Sequence, residues 1–586
     1  RNTADANKNI FIGSCAGNTT TSGCCNVAIG YDVELPSATG NDQFALGRTT
    51  NRWMAGDSSF NVCFADAAVT ITKSGGILNA TKFCGDGSCL TGISAGFSAD
   101  DDLNLLSVNT CSGCSLDGSA GCFNTLLGAC AGKSLTSGYS NILIGCHAGC
   151  SLTDGFRNVI IGDRESTTPG TSGQDNVFLG WNAGRCGTSG NRNVMLGCEA
   201  GQCMTGDNNF VVGHRAGSGA TGADASILIG NDAGCLIGAG SHNIFLGCAA
   251  GRSSGTNTDN DASNNVAIGY YAGQGLTDGD KNVFMGNYTG CSVTDGGSNV
   301  AIGDCSLSCN VSGNYNVALG VQAGKKYAGA DGCNIYIGLR AGCGGSGTVD
   351  GVNNIMMGLN SGMAIDGGDN NIFLGCYSGK TIGSGSDNVF LGNTAGSLLT
   401  TGGSNIMLGL CAGKCATTGS CNIFLGMESG LGASSSGVTG HNNYGIGCKS
   451  LNLLTSGCFN LAMGPASGEK LSTGKYNILF GRNAGCGLTT QLHNIVVGND
   501  TLALNGGTHN IAMGYFAARG SGTAADNDAS YNVVLGYYAG AALTDGDTNV
   551  IIGPDSGKDV TTGSNNVMIG HGAGESNTDK NSGVYI

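Results

Sequence analysis

Two segments of the sequence come close to the phosphate-binding loop of nucleotide-binding proteins. Gly128–Ser134 ends in Gly-Lys-Ser and Gly375–Thr381 ends in Gly-Lys-Thr, the residues that contact phosphate and Mg²⁺ in such loops. Both have three residues between their two glycines where the loop needs four, and neither precedes a predicted helix. Gly217–Gly222 fits the dinucleotide-binding pattern, but this match means little in a chain so rich in glycine. We therefore predict no nucleotide cofactor.

Cysteine offers a second kind of chemistry, since thiolates bind metals and pairs of thiols form disulfides. Several of the 29 cysteines are closely spaced pairs: Cys84/Cys89, Cys111/Cys114, Cys146/Cys150, Cys198/Cys203, Cys305/Cys309 and Cys411/Cys415. A metal site needs further Cys or His at the same point, and the seven histidines are scattered, so we expect no metal. Disulfides, formed across a turn or between chains, and small buried fillers in tight turns both stay open as interpretations.

Acidic turns could supply carboxylates to Ca²⁺. The turns in question are Leu276–Asp280, Val293–Gly296 and Leu543–Asp547. They lack the dense ligand spacing of a calcium-binding repeat, so we interpret their aspartates as solvated turn residues. No carboxylate pair stands out from the repeating background as the pair that a glycan-cleaving enzyme needs. We predict no catalytic, cofactor-binding or metal-binding residue.

The composition excludes several classes of protein. Of the 586 residues, 108 are glycine and 4 are proline. Collagen needs abundant proline with glycine at every third position, and a disordered linker does not contain 40% hydrophobic and only 11% charged residues. The formal net charge of −15 argues against nucleic acid as a partner. No apolar run approaches the ~20 residues of a membrane-spanning helix, so we expect no membrane insertion.

The elements that carry these residues repeat along the chain. From Asn124 onward, the pattern Asn–apolar–x–apolar–Gly occurs 26 times, most often 17 residues apart, and closes on an anchor glycine from Gly128 to Gly570. Asn opens 25 of these units, with Ser226 as the exception, and a second glycine follows the anchor by four residues in 21 of them. Nearly half of the glycines therefore occupy two fixed positions of one small unit.

A longer repeat is superimposed on the 17-residue repeat. The anchors Gly180, Gly269, Gly358, Gly447 and Gly536 are 89 residues apart, and the last unit of each set of five is lengthened to 20–22 residues. The added residues fall in four loops: Ser253–Ser263, Gly344–Val352, Gly432–His441 and Gly520–Ser530. We expect these loops to protrude, either as contacts to a receptor or a neighbouring protein or as tolerated insertions.

The repeat predicts an all-β protein, namely a parallel β-solenoid with coils of about 17 residues and an 89-residue, five-coil super-repeat. Three apolar residues make a strand too short to fold alone, and identical strands stacked at ~4.8 Å give every backbone group a partner. Glycine after the strand allows positive φ, and stacked Asn side chains can hydrogen-bond along the axis. No helical period survives this density of glycine.

The strand pattern also bears on oligomerisation. The residues three and one before each anchor share a face, which we assign to the solenoid interior. The residue between them is apolar in 25 of 26 units and is predicted to point outward: Phe178, Met195, Phe245, Phe284, Phe373, Phe390, Met407 and Phe424 are examples. An exposed stripe of this kind would aggregate, so we expect it to pack on other chains. The alternative is a wider coil whose own opposite wall covers the stripe.

The repeats, such as Asn388–Gly396 followed by Leu-Thr-Thr-Gly, resemble those of tail-fibre-like virion proteins from marine bacteriophages, particularly phages of cyanobacteria. Asn51–Asn61 and Ala80–Ile93 are similar to further segments of those fibres. The heads of trimeric autotransporter adhesins carry a comparable Ser-Val-Ala-Ile-Gly repeat with a shorter period. Both resemblances imply homotrimers, and the cysteine content departs from both families.

We divide the chain into three parts. Residues 1–47 form a short solenoid segment with anchors at Gly13, Gly30 and Gly47, residues 48–96 form a connector, and residues 97–586 form the long array. Val62–Ala65 and Ala68–Thr72 are predicted strands of the connector. Because the chain starts at Arg and stops one residue before the next anchor is due, we expect the natural protein to extend beyond both ends.

The resemblance predicts a non-enzymatic virion fibre, a stiff trimeric rod on the phage particle that takes part in attachment to the host surface. Its expected partners are two further copies, other virion or tail proteins, and a host receptor or polysaccharide. One alternative is a bacterial trimeric surface adhesin or extracellular filament. The other is a glycan-degrading tailspike enzyme.

Overall fold

The computed structural model describes residues 8–49, 51–56, 62–63, 98–100, 105–108, 112–116, 121–163, 172–186, 190–254, 260–329, 332–345, 350–433, 437–504, 506–522 and 527–586. All regular secondary structure in these residues is β-strand. The chain divides into two compact units, Arg1–Gly92 and Ile93–Ile586, and each unit is described by itself.

The first unit is a small sheet of five strands. Its strands are β1 (Ile10–Ile12), β2 (Val27–Ile29), β3 (Phe44–Arg48), β4 (Asn51–Gly56) and β5 (Val62–Cys63). β1, β2 and β3 pair in parallel, as predicted for three stacked coils, whereas β4 and β5 continue the sheet in antiparallel pairs. The strand predicted at Val62–Ala65 is present as β5, and the strand predicted at Ala68–Thr72 lies outside the described residues.

The second unit contains short strands of nearly uniform length. The first are β6 (Ser98–Asp100), β7 (Leu105–Val108), β8 (Thr125–Leu127), β9 (Ile142–Ile144), β10 (Val159–Ile161), β11 (Val177–Leu179), β12 (Val194–Leu196), β13 (Phe210–Val212), β14 (Ile227–Ile229), β15 (Ile244–Leu246), β16 (Val266–Ile268), β17 (Val283–Met285), β18 (Val300–Ile302), β19 (Val317–Leu319) and β20 (Ile335–Ile337). They are followed by β21 (Ile355–Met357), β22 (Ile372–Leu374), β23 (Val389–Leu391), β24 (Ile406–Leu408), β25 (Ile423–Leu425), β26 (Tyr444–Ile446), β27 (Leu461–Met463), β28 (Ile478–Phe480), β29 (Ile495–Val497), β30 (Ile511–Met513), β31 (Val533–Leu535), β32 (Val550–Ile552), β33 (Val567–Ile569) and β34 (Val584–Tyr585).

These strands form one continuous parallel ladder. β6 pairs with β7 in antiparallel fashion, and from β7 to β34 each strand pairs in parallel with the next. The register is one-to-one, as in Val389↔Ile406 and Leu391↔Leu408. About 28 coils at a rise of ~4.8 Å extend over roughly 130 Å. The predicted fold class, an all-β parallel solenoid with coils of about 17 residues, is confirmed.

A ladder of buried asparagine side chains connects the coils. Asn405 donates its backbone N–H and its side-chain Nδ2 to Oδ1 of Asn388 in the preceding coil, both at 3.0 Å. Its Nδ2 also donates to the carbonyl of Gly419 at 2.9 Å, and its Oδ1 accepts the backbone N–H of Asn422 at 3.0 Å. Each Asn side chain thus fixes the register of two neighbouring coils.

Left-handed backbone occurs at non-glycine positions as well as at the predicted glycines. The anchor Gly409 has φ 134°, and a Cβ there would lie 2.6 Å from the carbonyl oxygen of Gly426 in the next coil. Two further positions have positive φ in most coils, the residue before the Asn and the second residue after the anchor. Asp387 and Thr394, with φ of 60° and 55°, are examples that the sequence analysis did not predict.

The middle residue of each strand points into the solenoid. Phe373, Phe390 and Phe424 are fully buried, and the rings of Phe373 and Phe390 stack with 4.9 Å between their centroids. Small and aliphatic residues of the opposite wall, such as Ala395 and Leu399, complete this core. The coil is therefore wide enough to enclose aromatic rings.

The prediction that the middle residues form an exposed stripe was wrong. Most of the residues predicted to be exposed are buried, and Phe178 is half-buried: Met195, Phe245, Phe284, Phe373, Phe390, Met407 and Phe424 all belong to the core. The physical reason is the Asn ladder. Side chains alternate along a strand, so Asn388 and Phe390 point the same way, and both are buried. The alternative of a wide coil covered by its own opposite wall is the arrangement found.

We predict that any side chain at an anchor glycine strongly destabilises the solenoid. We expect Gly409→Ala to lower the free energy of unfolding by at least roughly 1–3 kcal/mol, because it strains the backbone and clashes with Gly426. Thermal unfolding, with limited proteolysis to locate the opened coil, measures the effect. Gly383→Ala is the matched control, since a Cβ there meets only the Thr400 carbonyl, at an ordinary 3.5 Å. Equal stability of the two variants would contradict the argument.

The Asn ladder makes a second prediction. Asn405→Ala leaves the Gly419 carbonyl and the Asn422 N–H without their partner, and each buried orphan costs about 1–3 kcal/mol. Asn405→Ser should lose less, because the natural Ser226 accepts the backbone N–H of Asn243 at 3.1 Å in the same way. Chemical denaturation of both variants checks the order wild type, Ser, Ala; a serine variant no more stable than the alanine variant would be inconsistent with it.

Candidate interaction surface

The first and third residues of the strands from β8 to β33 form what we call the outward face. These side chains stay partly exposed because the solenoid covers only the middle residue; Ile227 and Ile302, for example, are 39% and 41% exposed. The most exposed members are Ile142, Ile161, Phe210, Ile227, Met285, Ile302, Met357, Ile406, Tyr444, Met463, Ile478, Ile495, Ile511, Met513 and Ile569.

The outward face is apolar along its whole length. No charged residue stands at a first or third strand position from β8 to β33, and nearly all of these residues are Val, Ile, Leu or Met. Around β20–β25 the residue after the anchor glycine widens the outward face, since Leu339, Leu359, Leu410 and Met427 are also exposed. The face covers on the order of 800 Å², more than the largest apolar patch of a typical monomer. Parallel sheets with such sequences are normally covered on both sides.

The long loops were predicted to protrude, and their central residues, 255–259, 346–349, 434–436 and 523–526, lie outside the described residues. The returning ends of two of them are tied to the preceding coil. Asn260 is buried and donates from Nδ2 to the carbonyl of Leu236 at 2.6 Å. Asn527, at the equivalent position three super-repeats later, donates in the same way to the carbonyl of Leu504.

The two segments that resemble phosphate loops are corners of the solenoid. A phosphate loop binds its ligand through free backbone N–H groups. In Gly128–Ser134, the N–H groups of Gly132 and Ser134 donate to carbonyls of the next coil at 2.9 and 3.1 Å. Gly379 and Thr381 do the same in the second segment, at 3.0 and 3.1 Å. These donors are therefore not available to a phosphate.

The dinucleotide-like segment Gly217–Gly222 is also a coil corner. The N–H groups of Gly217 and Gly219 donate to the carbonyls of Ala233 and Gln202, both at 2.8 Å. These two N–H groups are therefore already used in hydrogen bonds to the two neighbouring coils.

Three of the closely spaced cysteine pairs, Cys198/Cys203, Cys305/Cys309 and Cys411/Cys415, are separate thiols. Cys84, Cys89 and Cys111 lie outside the described residues. Burial raises the pKa of several thiols: Cys146, Cys203, Cys235, Cys291, Cys305, Cys415 and Cys486. A nucleophilic cysteine needs a lowered pKa, so these thiols are poorly suited to catalysis.

The last aspartate in two of the three acidic turns connects neighbouring coils. Asp280 Oδ1 accepts the backbone N–H of Ser263 at 2.7 Å, and Asp547 accepts that of Ser530 at 2.7 Å. They belong to a second polar ladder, two residues before the Asn ladder, which the sequence analysis missed. The sequence contains a signal for this ladder, since Asp, Ser and Asn recur two residues before the Asn of the repeat. Within the part of the chain that the structure describes, no group of three or more His, Cys, Asp or Glu side chains could hold a metal ion.

A row of charged side chains crosses three coils at the second residue after the anchor. Arg215 lies between Glu199 and Asp232, with N–O distances of 3.9 and 3.6 Å. Both carboxylates thus contact the same guanidinium, which is an arrangement of ion pairs along the stack and not of an acid and a base around an open cleft.

Comparison of the chain with protein-family models, with curated proteins and with solved structures finds no match. Among the described residues, no helix is long and apolar enough to cross a lipid bilayer.

The environment of Cys203 gives a prediction that distinguishes a structural thiol from a reactive one. Burial and a hydrogen bond with the Cys186 thiol raise the pKa of Cys203 from 9.0 to about 11. The neutral thiol is thus favoured, and at pH 7 the thiolate fraction falls about 100-fold. We expect iodoacetamide to alkylate Cys203 about 100-fold more slowly in the folded chain than in the urea-unfolded chain, with a rate that still rises above pH 9. Peptide mass spectrometry measures this, and a rate that levels off below pH 9 would refute the assignment.

Proposed function

We propose that this chain is a structural fibre protein in which three copies pack their outward faces around a common axis. The observation that carries the proposal is the apolar outward face, which has no charged residue from β8 to β33. Burying the face removes this surface from water at about 25 cal/mol per Å². The middle strand residues, from which an oligomer was predicted, are buried, so the surface that a second copy can reach is formed by the first and third strand residues.

A second copy of the chain is the partner that fits this face best. The face repeats at the coil rise of ~4.8 Å over roughly 130 Å, and another solenoid of the same rise can repeat one set of contacts along that length. A three-fold arrangement closes on itself, so no apolar face is left to continue into an open aggregate. The resemblance to phage fibres and to adhesin heads, both of which imply homotrimers, supports three copies over two.

The physical role of such an assembly is reach and stiffness. Each coil contacts only its two neighbours, so length is added by repeating one unit. The resemblance of the repeats, and of Asn51–Asn61 and Ala80–Ile93, to phage fibres favours a fibre on the virion that joins other tail proteins and attaches to a host receptor or polysaccharide. The long loops at every fifth coil would carry that recognition.

Charges placed on the outward face should prevent assembly. The variant carries Ile406→Glu, Ile478→Glu and Ile495→Glu. Each substitution brings three like charges together at one level of the trimer, and burying each charge without a partner costs several kcal/mol. We expect sedimentation equilibrium to give three times the chain mass for the wild type and the mass of a single chain for the variant.

The matched control places the same charges five residues earlier in the same coils, on exposed turns: Thr401→Glu, Thr473→Glu and Thr490→Glu. This variant should stay trimeric. A wild-type chain that sediments as a monomer, or an outward-face variant that assembles normally, would overturn the proposal. Electron microscopy of the intact assembly then tests whether the rod has three-fold symmetry and whether it is attached to a phage particle or to a cell surface.

A further inference from the structure

Two histidines from adjacent coils meet on the solenoid surface. His493 and His509 each stand five residues before an anchor glycine, in adjacent coils, and both are exposed. The backbone N–H of His509 donates to the carbonyl of Leu492 at 3.0 Å, which aligns the two residues. Their rings lie 4.8 Å apart between centroids, with 23° between the ring planes. A one-residue shift of either coil would separate them.

The pair belongs to a stack of five rings, the ring ladder, formed by Phe459, Tyr476, His493, His509 and Tyr531. Successive centroids are 5.1, 5.1, 4.8 and 4.7 Å apart. All five residues have φ between 58° and 61°, so their side chains leave the backbone in the same direction. The faces of the inner rings are covered by their neighbours, so the ladder presents mainly ring edges to solvent.

The two imidazole edges are the part of the ladder that can bind a metal. A neutral imidazole carries an in-plane lone pair on one nitrogen, whereas phenol and phenyl edges are poor ligands for a divalent ion at neutral pH. His509 Nδ1 lies 3.1 Å from Thr508 Oγ1. When Nδ1–H donates to that hydroxyl, the lone pair is on Nε2, and such a contact makes that nitrogen a stronger ligand.

We propose that His493 and His509 together bind one divalent first-row transition metal ion, with Cu²⁺ as the strongest binder. Imidazole suits Cu, Ni and Zn, and affinity for a nitrogen site rises toward Cu²⁺ in this series. A metal–nitrogen distance of ~2.0 Å requires the two nitrogens to be about 4 Å apart or less. The stacked rings are nearly parallel with centroids 4.8 Å apart, so binding requires both exposed side chains to rotate until one nitrogen of each ring comes within that range.

The site has open coordination positions. Among the described residues no third His, Cys, Asp or Glu completes a cluster, so water occupies the remaining positions. Hard cations such as Ca²⁺ and Mg²⁺ prefer oxygen ligands and are not expected here. The negative net charge of −15 raises the local concentration of any cation near the chain. The proposal does not depend on the fibre function.

The test uses Cu²⁺ alone as the probe, with the intact folded chain and with its accessible thiols first blocked by iodoacetamide, because an accessible cysteine would otherwise reduce or bind the ion. Electron paramagnetic resonance of the bound Cu²⁺ should show coupling to two equivalent imidazole nitrogens. In His493→Tyr or His509→Tyr the coupling should fall to one nitrogen. The affinity should fall at least as much as the ~10-fold that loss of an outer-shell partner costs.

Tyrosine keeps the ring ladder intact, so these variants remove a ligand nitrogen without removing the stack. Equal melting temperatures of the variants and the wild type check that the fold is retained. His214→Asn is the control at an exposed histidine in a distant coil, and it should leave the two-nitrogen signal unchanged. A wild-type spectrum without imidazole coupling, or a two-nitrogen spectrum that persists in His493→Tyr/His509→Tyr, would overturn the proposal.

Discussion

The in-register stacking of the buried Asn side chains is the constraint on which the rest of the structure depends. Asn388, Asn405 and Asn422 each accept a backbone N–H of the next coil, so no coil can slip by one residue without leaving buried polar groups unpaired. Because side chains alternate along a strand, a buried Asn also forces the middle strand residue inward and the first and third outward. One interaction thereby sets the register, the composition of the core and the identity of the exposed face.

This constraint explains how a solenoid can bury a full core and still expose an apolar surface. The interior is filled by middle strand residues such as Phe390 and by opposite-wall residues such as Leu399. The residues that flank Phe390 add nothing to that interior, yet they are Val389 and Leu391 rather than the polar residues that a solvated face would carry. The single chain does not bury these apolar residues, and the proposed packing of three copies would bury them.

The sequence was sufficient to predict the position and the stacking of the strands. The strands from β8 to β33, the anchor glycines and the Asn ladder follow from one pattern, since a coil too small to fold alone must stack. The face assignment failed at Phe373 and Phe390 because apolar residues occupy all three strand positions, so hydrophobicity cannot separate inside from outside. The buried Asn two residues earlier is the signal that would have decided it. The positive φ at the positions of Asp387 and Thr394 was missed because no single residue type recurs there from coil to coil.

Chemistry in this fold comes from residues at the same position of neighbouring coils and not from local motifs. At the residue before the Asn, Arg157 pairs with Asp175 at 2.5 Å, and the guanidinium holds the pKa of that carboxyl below its usual range. At the same position further along, His493 stacks on His509. Side chains at this position lie outside the core, so they can be replaced without disturbing the stacking of the coils. Local motifs such as Gly128–Ser134 cannot bind phosphate in this way, because their backbone N–H groups already donate to carbonyls of the adjacent coil.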